Sequence, residues 1–407
     1  MTSYAEKVFH FSPEVIAPLT DARSEPRIPT AVVVKSAVVL FWARLGSLNA
    51  WAQLNRAPFW KKWLGANPCS ADSMGRIHAL LEADRLRHGL HHLYHELKRN
   101  KALPDRHGWG VAVLDGHESH ASYRRCCSDC LQRTVTTKAG ERTQYYHRQV
   151  VLMLLPDAPP GRPPVRLLLD LEPQQPGEDE VTTALRLVER VLRVYPRAFD
   201  LLLADGLYAQ ARFFNCLLAR HKHALAVLKD ERRNLYQDVA GLIPQVTPQE
   251  GEYRSRQCQW WDFPDLVTWP EVNGSVRVIR SLETHSVRRQ LDKKQETLTS
   301  DWIWVTTLPS PQVLVEPIVE FGHLRWDIEN YAFQELAQEW HCDHVFRHEA
   351  NAIECFLLVA FLAFNLFHAF FALNLKPAAR KDKAENFWAK LIAVELYKEV
   401  IPASMSP

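Results

Sequence analysis

The sequence predicts an α/β protein: a mixed sheet with flanking helices, a β-rich insertion before a late helix, and a mostly helical N-terminal region. Three observations carry that expectation. Up to residue 108 the apolar positions recur at helical spacing, and from 109 the texture changes to short apolar runs. Two of these runs, 111–114 and 201–204, are apolar throughout, as suits central strands buried on both faces, and each is followed at once by an aspartate, Asp115 and Asp205. Between 230 and 310, tryptophans and charges mix with strand-like runs, a texture unlike either neighbour.

At 407 residues the chain is too long for one ordinary core, and two or three domains are expected. The segments read as a helical region at 1–108, a first α/β part at 109–229, the β-rich insertion at 230–310, two late helices at 311–375 and a helical tail at 376–407. Hydrophobic content of 47% and charged content of 24% describe a globular chain. A net charge of only +2 means that any nucleic-acid affinity must come from local basic patches. Eight cysteines without a disulfide-framework spacing suggest a reducing compartment, and the N-terminus lacks a signal-peptide pattern, so the cytoplasm is expected.

Taken in order, 31–54 and 72–100 have helical spacing, with Leu80, Leu81, Leu90, Leu93 and Leu97 along one side of the second. Arg85, Arg87, Lys98, Arg99, Lys101 and Arg106 make that second stretch basic, either as a phosphate-neutralising face or as a solvated one. Strands are expected at 111–114, 144–155 and 165–171, the last two separated by a proline-rich turn. A helix at 181–194, a strand at 201–204, a helix at 208–220 and a strand at 224–229 follow. Three strands, a helix, a strand, a helix and a strand is the order of a ribonuclease-H-like core. It puts both aspartates at the C-terminal ends of neighbouring strands. Within the insertion, 275–281 and 302–307 read as strands, among Trp260, Trp261, Trp269, Arg288, Arg289, Lys293 and Lys294.

Asp115 and Asp205, with Glu329 inside a later helical pattern, form an all-oxygen set suited to hard divalent cations, and such a set can hold two metals for an in-line phosphoryl displacement. At these residues the chain resembles the DDE transposases of the bacterial cut-and-paste insertion-sequence type. Ala204-Asp205-Gly-Leu-Tyr208-Ala-Gln210 is similar to the group's second-Asp motif. Arg325-Trp326-Asp327-Ile328-Glu329 is similar to its Arg-Trp-x-Ile-Glu motif and is the strongest match. The resemblance covers roughly 109–373. It implies a ribonuclease-H-like catalytic core, two Mg²⁺ ions with Mn²⁺ able to substitute, and double-stranded DNA partners: the element's terminal repeats and its target. It further implies a homodimer in the synaptic complex, a bacterial nucleoid-associated location and no membrane. It places Trp302, in a Trp-rich strand before the late helix, where the group supports a flipped base; alternation with Trp304 fits plain packing equally. The group usually has a Tyr three residues before the Arg and a Lys seven after the Glu; here these are Gly322 and Leu336.

Arg325 and Glu329 are four apart, on one face of a continuous helix, where Arg325 would orient the carboxylate or grip a phosphate. Asp170, Glu172 and Glu178–Glu180 read as turn and cap charges, and Glu118 as an exposed acid, in preference to metal ligands. Cys126, Cys127 and Cys130, with His117, His120 and His147 nearby, invite a zinc reading. Structural zinc needs four closed ligands and only one short cluster is evident, so ordinary loop thiols are favoured. His341-Cys342-Asp343-His344 reads as a packing or DNA-contact segment. The apolar stretch 355–373 is long enough to span a bilayer, but Asn365 and His368 favour a buried helix. A helix at 388–400 would close the chain. The expected function is thus DNA transposition; a relative that binds DNA without transposing and a protein anchored by 355–373 are the alternatives.

Overall fold

A computed structural model describes residues 1–54, 57–138, 140–288 and 295–398. Arg289, Lys293 and Lys294, and the end of the expected last helix, lie outside the described residues. The chain divides into two compact units: Met1–Pro104, Gly116–Val191 and Glu329–Pro407 make the first, Asp105–Asp115 and Leu192–Ile328 the second.

The first unit opens with helices α1 (Thr2–Phe9), α2 (Thr30–Trp42), α3 (Leu48–Leu54), α4 (Phe59–Leu64), α5 (Ala71–His78) and α6 (Ala83–Arg99). The two long helices expected here are therefore each broken. The 72–100 pattern stops at His78 and restarts at Ala83, because Leu81 leaves the helix to bridge Asp21 and Ala22 N–H donates to Leu80 O. Leu80 points outward as a result.

Strand β1 (Val111–Ser122) is shared by both units. In the first unit the path runs from β2 (Leu131–Thr137) to β3 (Gly140–Leu154) to β1, and β4 (Leu167–Pro173) also pairs with β3. The β2–β3 hairpin is not among the expected elements: β2 is mostly exposed and polar, so no apolar alternation announces it. Helices α7 (Glu180–Val194), α11 (Gln334–Gln338), α12 (Ala350–Ala369), α13 (Pro377–Arg380) and α14 (Glu385–Lys398) complete the unit. Helix α12 is the one described helix long and apolar enough to cross a membrane, and it is buried within the unit against α2, α6 and β4. Its Asn365 explains the polar interruption: the amide donates to Leu168 O and accepts from Leu168 N, closing a gap in the β4 edge.

In the second unit β1 runs parallel to β5 (Leu201–Ala204), and β5 parallel to β6 (His223–Val227). Beyond them β10 (Gln295–Thr306), β9 (Val276–Arg288), β8 (Arg256–Leu266) and β7 (Gln249–Tyr253) continue antiparallel. The insertion is thus an extension of the sheet: β10 pairs with β6 through Trp304, Val305 and Thr306. Helices α8 (Ala211–Leu218), α9 (Asn234–Leu242) and α10 (Val315–Leu324) flank it, with α10 packed on β5, β6, β7 and β9. The architecture is a mixed α/β sheet with flanking helices, of the ribonuclease-H-like kind.

Candidate active site

Three apolar pairs set the aspartates. Val111, Ala112 and Val113 lie opposite Leu201, Leu202 and Leu203, all buried, which fixes a parallel register. Asp115 and Asp205 each stand two residues beyond the last pair, so both continue the same face of neighbouring strands, whose backbones lie about 4.8 Å apart. Asp205 does end its strand. Its backbone stays extended, and its Oδ1 accepts from Leu207 N–H at 2.7 Å, capping a turn of 3₁₀ helix at Gly206–Tyr208. Asp115 does not: β1 runs on to Ser122, which corrects the expectation of a strand end. The strand continues because its later half pairs in the first unit, where Ser119 bonds Gln149 of β3.

Arg325 is buried, and its Nη1 lies 3.5 Å from Asp115 Oδ2. Its guanidinium also sits over the Trp326 ring at 3.9 Å. The single-helix reading of Arg325 and Glu329 needs correction: α10 ends at Leu324, 325–326 is a turn, and Glu329 is the second residue of a π-helical stretch, Ile328–Phe333. The wider turn breaks the i, i+4 spacing on which a shared face depends, and such stretches recur at functional sites. Asp115, Asp205 and Arg325 belong to the second unit and Glu329 to the first.

Beside Arg325 is an aromatic group. Half-buried Trp302 stacks on Trp304 (centroids 6.0 Å apart, planes 5° apart) and meets His323 and Trp326 edge-on. Tyr253 stacks on His323 at 4.7 Å, a partner that no spacing in the sequence points to. His323 is held by Glu283 at 2.6 Å. Burial pushes the Glu283 carboxyl up, but hydrogen bonds from His323 and Arg256 outweigh this and hold it below the usual carboxylate range. Gly322 has a local reason: a Cβ there would lie 2.3 Å from the Trp304 ring, so the indole occupies the space any side chain would need. Leu336, where the resembling group carries Lys, is buried in α11.

The basic residues of α6 and of the turn after it divide. Arg85, Lys98, Arg99 and Lys101 are exposed, Arg85 beside Glu82 and Arg99 paired with Glu96. Arg87 is buried and bonded to Asp170 at 3.0 Å, to Asp84 at 3.0 Å and to Glu354. Its reading as a DNA contact is corrected: its charge is neutralised within the fold. Asp170, 1% exposed, takes Arg190 on its other oxygen at 2.9 Å, and Glu172 and Glu178 pair with Arg186. Glu118 is tied to Arg133 at 2.6 Å. These acids are structural. Asp205, by contrast, has no ion-pair partner among the described residues. Carboxylate oxygens at Asp115 and Asp205 are the donors a hard divalent cation takes, so the residues present fit such an ion.

Aspartates on neighbouring parallel strands of a mixed sheet fit the metal-dependent nucleic-acid-processing class. The family comparison agrees: the model of the transposase DDE domain matches residues 163–366, just over half of the chain. The chain belongs to the DDE transposases, enzymes that cleave DNA with divalent metal ions. The matched span includes Asp205 and Glu329 and begins after Asp115, whose assignment therefore stands on the strand register. No curated protein matches the chain.

Proposed function

We propose that this chain cuts the ends of an insertion sequence and joins them to target DNA, with Asp115, Asp205 and Glu329 as the metal-holding carboxylates. The observation that carries the reading is the shared register of Asp115 and Asp205 in a chain of this family. Bound there, two Mg²⁺ ions would supply activation of the attacking oxygen and stabilisation of the leaving one. The chain's own residues prepare the site. The Leu207 N–H fixes the Asp205 carboxylate, and Arg325 orients Asp115 while adding positive charge for a scissile phosphate. Trp302 offers an aromatic face to an unstacked base, and exposed Arg85, Lys98, Arg99 and Lys101 offer phosphate contacts. The terminal repeats and target would be held by a dimer in the bacterial cytoplasm, on nucleoid DNA.

Gly322 and Leu336 favour a second reading, a relative that binds element ends without cutting them. One assay separates the two: incubation of the full chain with a labelled duplex spanning the junction that flanks its gene, with Mg²⁺ or Mn²⁺. Strand breaks at the junction support the transposase; binding without breaks under either ion supports the second reading.

A further inference from the structure

The cysteine cluster that stands alone in the sequence is joined in the fold by a histidine from far along the chain. Cys127 and Cys130 lie in the loop that follows β1, His147 in β3 and His348 just before α12, all within the first unit. Cys127 Sγ and Cys130 Sγ are 3.6 Å apart, and His147 Nε2 is 3.3 Å from each. His348 Nε2 is also 3.3 Å from Cys130 Sγ. All four ligand atoms lie within 4.8 Å of one another. A tetrahedral zinc ion with Zn–S near 2.3 Å and Zn–N near 2.0 Å sets its ligands about 3.3–3.8 Å apart, so the spacing is that of a coordination shell.

We propose that Cys127, Cys130, His147 and His348 form a closed structural zinc site. The supporting geometry is local and independent of the DNA-cleaving site. The Cys127 N–H points at Cys130 Sγ at 3.2 Å, a backbone donor that stabilises a thiolate. Leu131 pairs with Tyr146 at the start of the β2–β3 hairpin, which brings Cys130 beside His147 by register alone. The His348 segment is fastened nearby: His120 Nδ1 lies 3.1 Å from Asp343 O, and His117 3.6 Å from the Asp343 carboxylate. Two sulfurs and two imidazoles suit zinc over magnesium or calcium, which take oxygen ligands. A sulfur separation of 3.6 Å is far beyond the roughly 2.05 Å of a disulfide. The ion would join three pieces remote in sequence: the loop after β1, the hairpin and the entry to α12.

The test is metal analysis of the full chain, produced with added zinc and desalted without chelator. The expected result is about one zinc per chain, the stoichiometry of a single closed site. Cys127→Ser and His348→Ala should each lose that zinc, while Cys126→Ser and Asp205→Asn should keep it. Should the ligand variants fail to fold, cobalt loading of the unaltered chain gives a second readout: intense visible bands of a tetrahedral site with a sulfur-to-metal charge-transfer band. Chain without zinc and without that spectrum, a Cys127–Cys130 disulfide by mass, or zinc retained by both ligand variants would each overturn the proposal.

Discussion

Two acidic groups sit on strands of this protein and differ in who answers their charge. Asp170 and Glu172 on β4 are enclosed by Arg87, Arg186 and Arg190, each oxygen taken by a guanidinium. Asp115 lies beside Arg325, and Asp205 meets a backbone N–H and, among the described residues, no cation. The charge of the first group is answered within the fold; that of Asp205, among the described residues, is not. By apolar pattern alone they look alike, since Asp170, like Asp115 and Asp205, follows an apolar strand run; only the resembled motifs set the latter two apart. What separates them is where the arginines of α6 and α7 fall once the chain is folded.

The sharpest way to break this comparison is to remove charge from each side. Asp205→Ala should lower Mg²⁺-dependent cleavage by about 10²- to 10³-fold or more while the melting temperature holds, because the group acts on developing charge and not on packing. Asp115→Ala should lower cleavage as much and also lower the melting temperature, since it takes a carboxylate from buried Arg325. Single-turnover cleavage together with a thermal melt decides it; a variant that cuts normally leaves the site. Asp170→Ala should do the reverse. It strands Arg87 and Arg190 beside a buried gap, and breaking such a pair costs about 3–5 kcal/mol, readable by urea unfolding. Wild-type stability in that variant would mean the network adds nothing.

A smaller loss is expected from Gly322→Ala, which forces the Trp304 ring aside at about 1–3 kcal/mol. Gly322→Tyr should therefore fail to restore the side chain the resembling group uses; recovery of cleavage by it would show that the ring moves freely. The smallest effect concerns α6. Replacing Lys98, Arg99 and Lys101 together by Ala should flatten the salt dependence of end-DNA binding by about 0.9 in log–log slope for each phosphate no longer neutralised. Arg87→Ala should unfold the chain more than it weakens binding, and an unchanged slope in the triple variant would put DNA recognition elsewhere.

Much of the site is legible in the sequence because it rests on local pattern. The apolar run 201–204 and the helix that ends at Val194 are readable from periodicity, and Asp205 follows from the first. Glu329 is readable as helical, but the π-helical stretch is not, since the local sequence shows no mark of the extra residue in the turn. The length of β1 escapes for a different reason: beyond Asp115 its residues are polar and half-exposed, and only pairing with β3 keeps them extended. Arg87 is misread from sequence because a basic helix face looks the same whether its partners are phosphates or acids 83 and 267 residues away. The same kind of distance hides His348 from the cysteines.

The placement of α12 has a consequence for how the molecule is made. Its partners α2, α6 and β4 all precede it in the chain, so they leave the ribosome first and wait with their apolar faces uncovered. Chains are synthesised at about 5–20 residues per second, so roughly ten seconds or more separate β4 from α12. Over that interval the first unit has no centre, and the entry segment carrying His348 does not yet exist. Assembly of that unit is therefore held back until α12 has been made. A product that stops before residue 350 would expose the uncovered faces to chaperones and proteases.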